Sequence, residues 1–450
     1  MPAWATSALS NRLFQSGVGS IVVRIATAGL AVLTSVVLAR ALGPEDYGLY
    51  AYTLSIILVV AVPAHLGLPT LVTRETAIAQ SRGDWARMKG VWLWSTKAAG
   101  AISAVIAVLG AIAAVTWSER LAPGQPAVLA WAVLLIPLIA VGTLRGAALR
   151  GLHKPVLGQL PYQIIRPALL IGAVALIGFG LDVGLSAADA MAVHVGAALL
   201  AFIAGAAMLW RARPPGIGDR ALGPTYASRA WIMSTLPLSL IAGMNLLNQN
   251  LGVLVLGANG DPTAAGVFQV VMQGGLVLVL GQAALDMVVA PRFARLHALG
   301  EREKLQRLVA LSACASLALA VPVALIYIVL GGPLLGVVFG ASFRDGATAL
   351  AIVSVGQVIN AGFGSVNALL NMTGFERDTA RSLTIAGVTH VAAAVVMVPF
   401  LGLTGAALSA AATLLIWNLL QWRMIRKRLQ LESTVLAIYE RFRPRRAPST

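Results

Sequence analysis

From Gly17 to Ala39 the chain runs 23 residues with a single charge, Arg24. A helix rises ~1.5 Å per residue, so a run of this length reaches across the ~30 Å hydrocarbon core of a bilayer. In lipid every backbone N–H and C=O must find a partner within the protein, which leaves helices or a closed barrel. Long apolar runs without two-residue alternation exclude the barrel. The pattern recurs down the chain. Twelve spans are predicted, at 17–39, 47–72, 90–117, 126–149, 155–180, 187–210, 229–256, 263–290, 307–331, 346–371, 379–401 and 404–425. Only 11% of the 450 residues are charged and 58% are hydrophobic, where a soluble domain carries about a quarter charged. The predicted fold class is an all-α polytopic membrane protein of about 12 transmembrane helices.

The net charge of +16 would suit a nucleic-acid binder by magnitude, but its distribution excludes nucleic acid as a partner. Basic residues collect in alternate connectors: Arg74, Arg82, Arg87 and Lys89; Arg150 and Lys154; Arg211, Arg213 and Arg220; Arg292, Arg295, Arg302 and Lys304; Arg377. The intervening connectors hold Glu45, Asp46, Glu119, Asp182, Asp189, Asp261 and Asp345 against only Arg40, Arg120 and Arg344. The positive-inside rule then predicts a multi-pass membrane protein with both termini cytoplasmic, which in a bacterium means the inner membrane. The N-terminal stretch before the first span is short, so that span is expected to act as an uncleaved signal anchor. The single cysteine, Cys314, allows no intramolecular disulfide. His65, His194 and His390 fall one per span without ligand spacing; no metal site or cofactor is predicted.

An internal repeat divides the chain. Gly48, Tyr50 and Arg74 precede Gly266, Phe268 and Arg292 by a constant interval, each set opening a span and closing on a basic loop. Six spans per half keep both halves in one orientation, which predicts two parallel six-helix lobes around a central cavity. The expected boundaries are an N-terminal lobe at 1–210, a Pro-Pro-Gly linker at 211–228, a C-terminal lobe at 229–425 and a basic cytoplasmic tail at 426–450. The tail carries Val435, Ile438, Tyr439 and Phe442 at helical spacing, suited to lie on the anionic inner leaflet and its membrane lipids.

Ionisable residues within spans are costly and mark pathways or paired structural contacts. Gln159, Gln163 and Arg166 share one helical face, with Arg166 too deep to reach water easily and Pro161 and Pro167 placed to open the backbone ladder. Arg24 lies on a polar stripe with Ser20, Thr27 and Thr34. Lys97 is a third candidate, whereas Arg145 is near enough to a span end to snorkel. The second half is poor in span cations and rich in amides. Gln357, Asn360, Gly364, Asn367 and Asn371 are predicted to form one continuous face of about 21 Å in the tenth span. Asn245, Asn248 and Gln249 lie on the seventh span, and Gln269 and Gln273 on the eighth. Such amides serve helix–helix hydrogen bonding or line a wall for sugar hydroxyls. Asp286 is expected to pair locally with Arg292.

Three stretches resemble the Wzx-type polysaccharide flippases of the multidrug/oligosaccharidyl-lipid/polysaccharide exporter superfamily. They are Leu38 to Tyr50, Leu149 to Lys154 and the repeated hairpin from Leu256 to Phe268. The resemblance implies a V-shaped pair of six-helix lobes, a cationic central cavity and a lipid-linked glycan substrate, generally an undecaprenyl-pyrophosphate oligosaccharide. It also implies an arginine in the first helix, matched by Arg24. A polysaccharide polymerase and glycosyltransferases are the expected functional partners. Combined with the residues, it predicts a flippase that moves a lipid-linked oligosaccharide outward by alternating access, and no enzyme. Arg24, Arg166 and Lys97 would neutralise the pyrophosphate, and the amides would meet the glycan. The alternative is a cation-coupled multidrug antiporter, which would need span carboxylates; Asp286 alone qualifies.

Overall fold

The computed structural model describes residues 3–65, 67–116, 123–181, 184–218 and 223–435. Every regular element among them is helical. Nine stretches are long and apolar enough to cross a membrane. Two of these, ending at Val60 and at Arg428, are each a pair of helices joined at a glycine, and Ser228–Ala258 is a further apolar helix. The chain is an all-α, multi-pass membrane protein of about twelve transmembrane helices. It separates into two compact units, Met1–Leu246 and Leu247–Thr450.

The first unit begins with α1 (Ala3–Val60), which breaks at Gly43 with φ 74° and ψ 176°. A side chain other than hydrogen is strained at this φ, and Pro44, having no N–H to satisfy, restarts the helix. The residues beyond the break tie the hairpin shut. Tyr47 Oη lies 2.6 Å from Ser35 Oγ, and Asp46 Oδ1 accepts from Ala187 N at 3.1 Å. The second span, expected to run unbroken over 47–72, is interrupted around Ala61–Gly67. There α2 (Val62–His65) is followed by Gly67 at φ 67° and α3 (Leu68–Arg82). Next come α4 (Trp85–Thr116), α5 (Gln125–Ala132) and α6 (Leu135–Gly151). The fifth span comprises α7 (Pro155–Leu160), a π-turn at Pro161–Ile165, α8 (Arg166–Ala175) and a second π-turn at Leu176–Gly180. Pro161 and Pro167 each remove a backbone donor, which lets the ladder slip from i→i−4 to i→i−5. Then α9 (Ala187–Ala212) completes the sixth span.

Small residues set the close crossings. A Cβ at Gly158 would meet Gly146 O and Leu149, and one at Gly151 would lie 2.8 Å from Thr73 O. Such contacts let backbones approach where hydrocarbon offers no hydrophobic drive. The core here joins Leu68, Leu71, Val91, Leu144 and Trp231, the last from α10 (Ser228–Ala258). The stretch 211–228 packs on α4 as well: Thr225 N donates to Ala86 O at 3.1 Å.

The second unit holds the rest of α10, α11 (Pro262–Ala298), α12 (Arg302–Val338), α13 (Ala347–Phe363), α14 (Val366–Met372) and α15 (Glu376–Arg428). Asp261 caps α11 by accepting from Ala264 N at 2.8 Å. The tenth span is two helices, because Gly364 adopts φ 73° and ψ −156° between α13 and α14. Its missing side chain is needed, since a Cβ would sit 2.8 Å from Ala313 Cβ. The helix ends at Arg428, with Leu429 as its cap. Residues 429–435 fold back, bury Leu431 in the core with Phe293, Leu305 and Leu370, and pair with α12 through Gln306 and the Glu432 backbone at 2.7 and 2.8 Å. Val435 N donates to Gly362 O at 3.1 Å. Glu432 accepts from Trp422 Nε1 at 2.6 Å and lies 3.6 Å from Arg426, which fixes the reversal. The rest of the expected amphipathic tail, with Ile438, Tyr439 and Phe442, lies outside the described residues.

Candidate functional site

In the first unit the α1 stripe faces the fifth span. Thr27 Oγ1 lies 2.7 Å from Val23 O and 3.3 Å from Gln163 Oε1. A hydroxyl has one proton, and the shorter contact takes it; the Gln163 amide then satisfies the other by turning to donate. Three residues on, Arg166 opens α8 just past the π-turn. Its guanidinium lies 3.9 Å from the centre of the Tyr162 ring. Tyr50 Oη and His194 Nδ1 are 2.7 Å apart, both buried in the region of Arg166. Among the described residues no carboxylate pairs with Arg166. A half-buried guanidinium at this depth has an aromatic face and neutral dipoles for company, and no described carboxylate as counter-charge. The arrangement suits an incoming anion, for which guanidinium offers forked donors that cannot deprotonate.

The other predicted cations have different placements. The side chain of Arg24 lies outside the described residues; its backbone is helical, one turn before Thr27. Lys97 is exposed on α4. Arg145 does not snorkel as expected. It stacks 3.7 Å over Phe202 and donates Nη1 to Phe202 O at 3.1 Å, because the α6–α9 crossing offers an aromatic face and a carbonyl closer than the membrane edge. Gln159 is half-buried.

The amides of the second unit are corrected in geometry. The continuous face expected over 357–371 does not exist, because the break at Gly364 turns Asn367 and Asn371 away from the line of Gln357 and Asn360. Asn360 is committed to structure: Asn418 Nδ2 donates to its Oδ1 at 2.8 Å, and its own Nδ2 donates to Gln282 Oε1 at 3.0 Å. Gln282 Nε2 continues to Gly364 O at 3.2 Å. This chain ties α15, α13 and α11 together, the helix–helix role open to such amides in lipid. Asn367 Oδ1 accepts from Asn371 Nδ2 at 3.1 Å on an exposed surface. Asn248 Oδ1 lies 3.3 Å from His390 Nδ1, Asn245 and Gln357 are half-buried, and Gln249 is exposed. Asp286 forms no ion pair with Arg292, which is exposed. The two lie six residues apart on α11, well over one turn, so their side chains leave the helix on different faces.

Pattern-reading passes over Tyr162 and the pairing of Tyr50 with His194. Tyr162 precedes Arg166 by four positions, a spacing that places an aromatic face beneath a cation on one side of a helix. Tyr50 and His194 are joined only by tertiary contact, 144 residues apart. The buried Glu75 was also passed over; it holds Arg87 at 2.7 Å and Arg74 at 3.4 Å, so these loop cations are not free.

The polysaccharide biosynthesis protein family matches residues 13–297, more than half of the chain. The chain belongs to that family. Among solved structures it is similar to an inward-facing multidrug resistance MATE family transporter of the MOP superfamily, at 15% identity and TM-score 0.71, covering 90% of this chain and 94% of that one. It is also similar to the lipid II flippase MurJ in an inward closed conformation, at 13% identity and TM-score 0.68, covering 90% and 87%. A third similar structure is a point mutant of the Vibrio cholerae MATE transporter VcmN, at 17% identity and TM-score 0.59, covering 96% and 99%. No curated protein matches the chain in sequence. The family match and the shared fold accord with the resemblance carried by the stretch Leu38 to Tyr50.

Proposed function

We propose that this member of the polysaccharide biosynthesis family is a flippase that carries a lipid-pyrophosphate-linked oligosaccharide from the cytoplasmic to the outer leaflet. The observation that carries the reading is Arg166, a span guanidinium with no described carboxylate partner, set over Tyr162 beside Gln163 and the Tyr50–His194 pair. Arg166 takes the pyrophosphate, with Arg24 one turn from Thr27 on the facing stripe as the second cation. Lys97, exposed on its helix, contributes less. The role of the amides is narrower than their number suggests: Asn360 holds helices together, and Gln357 and Gln249 are left to meet sugar hydroxyls. The lipid chain stays in the bilayer, and alternating access moves the head group.

The test is mass spectrometry of lipid-linked intermediates after depletion of the protein, with the cytoplasmic leaflet resolved separately. The expected result is a lipid-pyrophosphate glycan accumulating on the cytoplasmic side. An unchanged lipid pool with altered drug sensitivity would overturn the reading in favour of a multidrug antiporter.

A further inference from the structure

Where the second span is interrupted, around residues 61–67, the first unit opens to a cleft. Val59, Val60 and Pro63 form one wall, and Ala101, Ile102, Val105 and Ile106 of α4 form the other. Every lining side chain is apolar. The cleft holds about 510 Å³, within the ~300–1,000 Å³ of ordinary ligand pockets.

Apolar exposure is ordinary on a protein that spans a bilayer, since lipid tails are as apolar as leucine. Two features single this place out. It is a hollow, so the chains of the surrounding bilayer either fill it or leave its lining without contacts. The face of α4 that lines it also carries a charge. Leu93, Lys97, Ala101 and Val105 recur every fourth residue along that helix, and all four are exposed. Among the described residues no carboxylate pairs with Lys97. A lysine on a lipid-exposed face is costly unless its ammonium reaches the headgroups or meets an anion. Helical side chains lean towards the start of their helix. Here α4 starts at Trp85, with Arg87 and Lys89 in its first turns. The Lys97 side chain therefore leans away from the cleft and towards the basic end. Trp92 and Trp94 lie one turn nearer that end, and aromatic residues of this kind favour the headgroup boundary. From Lys97 to Ile106 the helix rises ~13 Å.

A cation at the headgroup boundary with an apolar hollow below it has the layout of a phospholipid. A zwitterionic headgroup brings a cation of its own beside the phosphate and gains less from Lys97 than a net-anionic one. We propose that the cleft between residues 59–63 and α4 binds one acyl chain of a net-anionic phospholipid, whose phosphate is held by Lys97. The bound chain supplies α4 with the packing that the interrupted second span withholds. A lysine engaged in this way is in keeping with its small part in the pyrophosphate site, and the cleft uses neither Arg166 nor the Tyr50–His194 pair.

The experiment uses the full chain, freed of lipid, in detergent. Its unfolding temperature is followed while dioleoyl phosphatidylglycerol or dioleoyl phosphatidylcholine is added. A saturable rise is expected with both, reaching its midpoint at a lower concentration of phosphatidylglycerol. Lys97→Ala should weaken the apparent affinity for phosphatidylglycerol about fivefold, the worth of one lysine at an anionic surface, and leave that for phosphatidylcholine unchanged. Ala101→Phe fills the hollow and should weaken both. Equal midpoints for the two lipids in the natural protein overturn the proposal. A preference for phosphatidylglycerol that survives in Lys97→Ala overturns it as well, since that preference then belongs to the basic connectors. If Ala101→Phe does not fold, Lys97→Ala decides alone. Displacement of bound phosphatidylglycerol by a lower concentration of undecaprenyl phosphate would assign the cleft to a polyprenyl chain and overturn it too. No glycan or pyrophosphate enters the measurement, so its failure leaves the flippase reading standing, and the converse holds.

Discussion

The two units, both built from membrane-spanning helices, use their polar residues in opposite ways. In the first, one guanidinium lies over an aromatic ring among neutral groups, without a described carboxylate partner. In the second, three amides are chained across α15, α13 and α11, each held by another. A polar residue in a membrane span is thus informative less by its presence than by whether its neighbours have used it up. Asn360 has committed its donor and acceptor to protein, whereas Arg166 keeps its charge available. The same distinction separates the cations: Arg145 is consumed by Phe202, and Arg74 and Arg87 by Glu75.

The largest effect follows from removing the available charge. Arg166→Ala should lower export of the lipid-linked glycan at least tenfold, since a charge-assisted bond to phosphate is worth about 1.5–3 kcal/mol. Arg166→Lys, with a point charge in place of a fork, should recover part of it. The reverse pattern is expected at Asn360. Its change to Ala strands Gln282 and Asn418 and should cost about 1–3 kcal/mol of stability, read as a lower unfolding temperature, while export per folded molecule is retained. Export lost without loss of stability in Asn360→Ala would break the contrast and return this amide to the substrate. The smallest effect is at Lys97. On its exposed face Lys97→Ala should shift neither unfolding temperature in lipid-free detergent nor export beyond error; a defect as large as that of Arg166→Ala would add Lys97 to the anion site.

Much of the fold was legible because lipid leaves so few options. Run length located the spans, and the break at Gly43 falls in the connector that run length left between the first two. What periodicity could not reveal were interruptions inside runs that stay apolar. The face from Gln357 to Asn371 was drawn on an ideal helix, but Gly364 takes a positive φ to let α12 approach at Ala313, and that contact lies 51 residues away in sequence. Arg166 stood out as a charge in a span, yet its setting did not. Tyr50 and His194 become neighbours only when α9 packs on α1, an arrangement helped by Asp46 holding Ala187 N. The fold of residues 429–435 was hidden for a related reason: Leu431 and Glu432 find a buried pocket and a tryptophan donor that no helical wheel displays.

The central claim is that the first unit's unpaired arginine receives the pyrophosphate. Its most direct test is binding of a short-chain lipid-pyrophosphate oligosaccharide to the purified protein, compared with the matching monophosphate, for the natural chain and for Arg166→Ala. The natural chain should prefer the pyrophosphate, and Arg166→Ala should lose most of that preference while its affinity for the monophosphate falls less. Equal loss for both ligands, or a preference that survives in folded Arg166→Ala, would contradict the account.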